Sequence, residues 1–213
     1  MGASRTTSSE NWASYLEGMR YVHKLVDPAA DLICVPRNVA SDWGQPNVNG
    51  FQNSAQAFFF HTDISSPLTQ NWTPIGATSH ELPGEISPSI PSFEIQAHLV
   101  AGHARRVLDL IRSSWGWYLD NENGTQNTTI EAYIVSGTFG YRWDYGYNGD
   151  FSYTSHTHSW ATGPVTALTQ HVLGLSIVEP AGSTWRLAPR LRDLTSCEGG
   201  SRRNWADSPP VGN

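Results

Sequence analysis

The sequence predicts a mainly α-helical protein that turns β-rich near its end. Apolar residues recur at three- and four-residue spacing in several runs, and Pro, Gly and Asn gather between them. After Gly174 the texture changes to short apolar stretches, SIVEP, TWRLAP and RLRDLTS, parted by Pro and Gly. At 213 residues the chain is long enough to bury a sizeable core.

The first helix covers about 9–26, where Trp12, Tyr15, Leu16, Met19, Val22, Leu25 and Val26 repeat at helical spacing until Asp27-Pro28 stops the pattern. A short apolar run at 32–35 leads into a Pro/Asn/Gly-rich loop holding Ser41-Asp42-Trp43-Gly44. A second helix is expected over 52–61, apolar nearly all round at Ala55, Ala57, Phe58, Phe59 and Phe60 and so buried on more than one side. Residues 63–91 are dense in Pro, Ser, Thr and Gly and read as loop.

A third helix is expected from about Ser92 to Gly102. A fourth follows at once, with Val107, Leu108, Leu110, Ile111, Trp115 and Leu119 on its inner face. Two helices joined by so short a turn form an antiparallel hairpin. Residues 121–162 are rich in Gly, Asn and Tyr, with a segment at 128–135 whose periodicity suits strand and helix equally. The run SHTHSWATGPVTALTQHVLGL then feeds a polar His/Trp-rich entry into a helix that starts at Pro164 and ends at Gly174, with Val165, Leu168, Val172 and Leu173 at packing positions. The tail from Gly199 is polar and reads as disordered.

Composition narrows the partners. The 13 Lys and Arg include one lysine, Lys24, and the net charge is -6, so no basic stripe is available to neutralise a phosphate backbone, and nucleic acid is not an expected partner. No apolar run is long enough to cross a membrane. Nine tryptophans are many for this length, and Trp and Tyr join an apolar face to a polar tip, which suits the C–H faces and hydroxyl edges of sugars. Cys34 and Cys197 leave one disulfide possible but exclude a disulfide-built scaffold. Three sequons, Asn71-Trp72-Thr73, Asn123-Gly124-Thr125 and Asn127-Thr128-Thr129, favour a secreted parent protein. The opening MGASRTTSSEN has no apolar stretch of signal-peptide type, so either the protein is intracellular or its true start lies upstream.

SFEIQAHLVAG, LDLIRSSWGWYLDN, TTIEAY and YTSHTHSWATGP, in that order, resemble the C-terminal part of the catalytic barrel of bacterial and fungal α-L-rhamnosidase-type glycoside hydrolases. EGMRYVHKLVDP, SDWG and GFQNSAQAFFFHT are similar to earlier parts of the same barrel, so the resemblance covers most of residues 10–190. It implies a partial (α/α)6 six-hairpin barrel over 10–174 and the start of a C-terminal β-sandwich over 175–198; outside these, residues 1–9 and 199–213 are expected to be disordered ends. Only residues 63–67 separate segments between which the family has further helices, and the family's acidic motif for the general acid has no counterpart in residues 1–11. The chain thus resembles a shortened piece of such an enzyme, from an extracellular parent.

Glycoside hydrolysis uses two carboxyl groups, held roughly 6.5–9.5 Å apart in inverting enzymes to admit a water. The resemblance makes Glu131, in TTIEAY, the catalytic base; a solvated glutamate beside a glycosylated loop is the plainer alternative. It makes Asp42 and Trp43 deoxysugar contacts, where a turn aspartate and an anchor tryptophan would be the structural reading. His156 and His158 would share a face if they lay on a strand, and with His171 they invite comparison with zinc, but no third ligand of suitable geometry is evident and no metal or cofactor is expected. The resemblance instead gives His158 a sugar hydroxyl and Trp160 a pocket wall, with His156 beside them as a substrate contact. His171 reads as an ordinary helix histidine, Trp115 as core, and Glu94 as a helix-capping carboxylate.

The expected activity is therefore inverting removal of terminal α-L-rhamnose from a rhamnosylated glycoside, without cofactor. A non-catalytic sugar-binding or vestigial module, or another (α/α)6 glycosidase specificity, remains the alternative. Oligomeric state is not legible.

Overall fold

The computed structural model describes residues 5–29, 32–36, 38, 68–78, 82–141, 150–179 and 182–200. The expected helix at 52–61 and the Asp42-Trp43 loop lie outside these residues. Within them the chain is mainly helical with small sheets.

Helix α1 spans Arg5–Lys24 and confirms the first periodic run, whose apolar side is exposed at Trp12, Tyr15 and Leu16 and half-buried at Met19, Val22 and Leu25. Trp12 is 59% exposed and Tyr15 is 55% exposed, the two rings stacked 5.2 Å apart. Strands β1 (Val26–Asp27) and β2 (Leu32–Ile33) pair just after the helix, around the Asp27-Pro28 stop.

The stretch expected to be loop is partly ordered. A 3₁₀ turn at Thr69–Asn71 leads into β3 (Trp72–Thr73) and β4 (Gly76–Ala77), an antiparallel hairpin closed by the Thr73 hydroxyl donating to the Gly76 carbonyl at 2.7 Å. Two-residue strands carry no readable alternation, which is why turn chemistry hid them. Gly76 sits at φ +141°, and a Cβ there would meet Ser114 Oγ and Tyr133 Oη at 2.8 Å.

Helix α2 runs Ser89–Val100, three residues ahead of its expected start, and the Ser92 hydroxyl donates back to the Pro88 carbonyl at 2.8 Å. It ends in a Schellman arrangement: Gly102 N–H reaches Leu99 O at 3.1 Å, His103 N–H reaches His98 O at 2.8 Å, and Gly102 takes φ +79°. Helix α3 begins at Ala104–Ile111, widens into a π-helical stretch at Arg112–Gly116, and closes with one α turn at Trp117–Leu119. The expected hairpin of two helices is present as α2 and α3.

Strands β5 (Glu85–Ile86) and β6 (Tyr133–Ile134) pair antiparallel, settling the 128–135 ambiguity in favour of a strand end. The core lies between the α2–α3 hairpin, the β3–β4 hairpin and helix α4 (Gly163–Ala167, continued by a π-helical stretch at Leu168–Val172), where Ala77, Ile95, Val107, Leu110, Trp115 and Ala167 meet. A second cluster of Ile86, Tyr118, Ile130 and Tyr133 is capped by Trp117 and Phe139, with Trp117 stacked on Tyr133 at 4.6 Å.

Helix α4 starts at Gly163, one residue before the expected Pro, and bears out the expected packing positions only in its second half, where Val172 is buried and Leu173 half-buried. Pro164, Ala167 and Val172 are buried, whereas Val165 is 65% exposed and Leu168 also faces solvent. The Leu173 N–H bonds to Leu168 O at 2.8 Å, five residues back, so one wide turn separates Ala167 from Val172 and breaks the 3.6-residue bookkeeping that selected Val165 and Leu168.

Beyond Gly174, SIVEP and TWRLAP form β7 (Leu175–Ile177) and β8 (Trp185–Leu187), paired with Ser176 opposite Arg186. RLRDLTS, expected as a further strand, is instead a turn with Arg192 at φ +58°. Asp193 there accepts from Arg112 on α3 at 2.8 Å, a charge-assisted bond that holds its carboxyl below the usual carboxylate range. Cys34 and Cys197 are both free thiols.

Candidate functional site

The segment carrying Glu131 and the His/Trp-rich run lie side by side. Glu131 N–H donates to Ser155 O and His158 N–H to Thr129 O, each at 2.8 Å, an antiparallel pairing without a formal strand. Side chains tighten it: Thr129 Oγ1 donates to His158 O at 2.7 Å, Thr128 Oγ1 donates to His156 O, and Ser155 N–H donates to Glu131 Oε2 at 2.9 Å. The Glu131 carboxylate is thus aimed by the first residue of the His/Trp run, and it is half-buried. Ser87 Oγ holds the backbone from the other side, donating to Glu131 O at 3.1 Å.

His156 is turned toward the second core cluster. Its Nδ1 shares a 2.9 Å hydrogen bond with the Tyr118 hydroxyl, and its ring meets the edge of Phe139 at 5.3 Å. His158 is half-buried, its backbone taken up by Thr129 on both sides. Because residues 155–158 are not a strand, spacing alone places the two imidazoles on no common face. Among the described residues no group of three or more His, Cys, Asp or Glu could hold a metal ion.

Trp160 stands 73% exposed on the 3₁₀ turn Ser159–Ala161. The turn itself is anchored from below. Trp115 Nε1 donates to Ala161 O at 2.6 Å, Thr162 Oγ1 donates to Ser159 O at 2.8 Å, and Gly163 N–H donates to Ser92 Oγ at 3.2 Å. Trp115 is core, as expected, and one of its roles is to fix the platform of the exposed indole. Asp42 and Trp43 fall outside the described residues, so their placement against Glu131 is not part of this geometry.

Sequence reasoning missed a buried polar cluster. Glu94, expected to cap a helix, lies in the second turn of α2 and is 1% exposed. Its Oε1 accepts from Trp72 Nε1 at 2.6 Å and lies 3.1 Å from Nε2 of fully buried His98, one turn on. The Trp72 and His98 rings meet edge to face at 5.6 Å. Oε2 of Glu94 and Nδ1 of His98 are buried without a hydrogen-bond partner. The legible signal was Glu and His four apart in SFEIQAH, which puts both on one helix face. What misled was the helix start, three residues early.

Tyr133 completes the interior. Its hydroxyl donates to Ile75 O at 2.6 Å and lies 3.2 Å from Ser114 O, and burial pushes its phenol well above the ordinary tyrosine range. The group is a neutral structural donor, not an acid available to substrate.

Chemically, the surface offers one oriented carboxylate, a half-buried imidazole and an open indole. No family model and no curated protein matches the chain.

Proposed function

We propose that this chain is the sugar-handling part of an inverting glycoside hydrolase of the α-L-rhamnosidase type, with a partial (α/α)6 barrel leading into a β-sandwich. The observation that carries the reading is the 2.9 Å bond from Ser155 N–H to Glu131 Oε2, which ties the carboxylate of TTIEAY to the SHTHSW run. Glu131 is the general base that removes a proton from water as it attacks the anomeric carbon. The proton for the departing oxygen must come from a carboxylic acid other than Glu131. His158 contacts a sugar hydroxyl, and Trp160 supplies an apolar face for a C–H surface of the ring, joined by Asp42 and Trp43, while His156, turned inward onto Tyr118 and Phe139, supports the segment from behind instead of touching sugar. The α2–α3 hairpin supports the barrel reading, as the β7–β8 pair supports the beginning of the sandwich.

The 73% exposure of Trp160 favours a second reading as a sugar-binding module without turnover, because an open indole binds a sugar face unaided. Release of 4-nitrophenol from the aryl α-L-rhamnoside separates the two. Turnover that Glu131→Gln abolishes while the fold is kept supports the hydrolase. A folded chain that binds rhamnose and releases no phenol removes it in favour of the module, and release undiminished in Glu131→Gln removes Glu131 as base.

A further inference from the structure

The three sequons have different surroundings, and the difference selects among them. All three residues of Asn71-Trp72-Thr73 are half-buried and engaged. The Asn71 carbonyl accepts from both the N–H and the hydroxyl of Thr78 at 3.0 Å, Trp72 is bonded to buried Glu94, and the Thr73 hydroxyl closes the β3–β4 turn. Asn123 and Thr125 are exposed in the turn that follows α3. Asn123 N–H donates to Asn121 Oδ1 at 3.0 Å and Gly124 N–H to Asn121 O at 2.9 Å, so the bonds that shape the turn here use the Asn121 side chain and the backbone and leave the exposed Asn123 side chain out. Asn127 is also exposed, and the Thr125 hydroxyl is itself bonded to Tyr118 and Thr128; the two sequons differ in that Thr125 stays exposed with these neighbours, whereas Thr129 is half-buried and donates to His158 O in the 155–158 segment.

We propose that Asn123 is the N-glycosylation site of this chain and that Asn71 stays bare in the folded protein. The co-reactant is an oligosaccharide linked to a polyprenyl diphosphate. The Asn123 amide nitrogen forms a bond to the anomeric carbon, the bond from that carbon to the diphosphate oxygen breaks, the lipid diphosphate leaves with the electron pair, and the amide releases one proton. Nothing is oxidised or reduced. Transfer occurs on the emerging chain, so the fold acts by deciding which glycan it tolerates. A glycan on Asn71 would hang from a half-buried residue next to Trp72, whose indole is bonded to Glu94, whereas one on Asn123 starts from an exposed residue.

The test secretes the chain from yeast behind a heterologous leader, which supplies entry to the glycosylating compartment whatever the native route, and reads no hydrolase activity. Asn71→Gln, Asn123→Gln, Thr125→Ala and Asn127→Gln are compared with the parent by mobility after endoglycosidase treatment. Glycosylated positions are mapped by Asn-to-Asp conversion in heavy-oxygen water, and folding is checked by circular dichroism. The expected result is a glycan at Asn123 that Asn123→Gln and Thr125→Ala each remove and that Asn71→Gln and Asn127→Gln leave in place. A folded chain bare at Asn123, or one carrying its glycan at Asn71 or at Asn127 instead, overturns the proposal.

Discussion

Replacing Glu94 by leucine tests whether the buried polar cluster holds α2 against the β3–β4 hairpin. The carboxylate satisfies Trp72 Nε1–H at 2.6 Å and faces His98 Nε2 at 3.1 Å, both in the interior. Leucine leaves two buried polar groups without their partner, a loss of about 1–3 kcal/mol each. It also removes Glu94 Oε2, buried without a hydrogen bond, which returns roughly 1–3 kcal/mol of desolvation cost. The net expectation centres on a loss of about 2 kcal/mol, a sizeable part of the ~5–15 kcal/mol that holds a domain together. Glu94→Gln keeps an acceptor at Oε1 and is expected to lose only about 1 kcal/mol. Urea unfolding followed by tryptophan fluorescence and far-ultraviolet circular dichroism measures both, with His98→Leu and the double variant completing a cycle. Additive effects of Glu94→Leu and His98→Leu, or a Glu94→Leu midpoint within about 0.5 kcal/mol of the parent, would refute the coupling of these groups.

Tyr133 gives an alkaline signature. Its folded-state pKa lies above the unfolded value near 10, so the native state holds the proton more tightly; that contribution is intact below about pH 10 and fades as pH rises beyond it. Tyr133→Phe is expected to cost about 1–3 kcal/mol at neutral pH, by stripping Ile75 O of its donor, and to flatten the decline above pH 10 in a stability-versus-pH series. Gly174→Ala places a Cβ 2.0 Å from Ala188 O at φ +75°, so the β7–β8 pair should open and the Ala188 amide, bonded to Gly174 O at 3.0 Å, should lose its protection from hydrogen exchange. Trp160→Ala removes an exposed ring and is expected to move stability by less than about 0.5 kcal/mol while weakening rhamnose binding in an NMR titration; equal affinity in the variant would count against the indole as a sugar platform.

Helical periodicity was legible where a helix is regular and closed by a recognisable stop. Asp27-Pro28 after α1, Gly102 between α2 and α3, and Pro164 and Gly174 around α4 all stand where the spacing puts them, because backbone φ restrictions at Pro and Gly are local properties. Local chemistry did not show which side of a helix meets a partner. Trp12 and Tyr15 carry the same spacing as buried residues yet face water, and Val165 faces water while Ala167, two residues on, is buried; the π-helical turn that follows, a feature with no sequence period of its own, then shifts the face toward Val172. The nearness of Glu131 to Ser155 joins positions 24 apart in the chain, and that of Trp72 to Glu94 joins positions 22 apart. Residue types nominated Glu131 and the His/Trp run; only the packed chain decided that they adjoin, and that Glu94 belongs to the interior. Hydrogen bonds between distant segments depend on how whole elements dock, and docking is a property of summed surfaces that no short stretch of sequence contains.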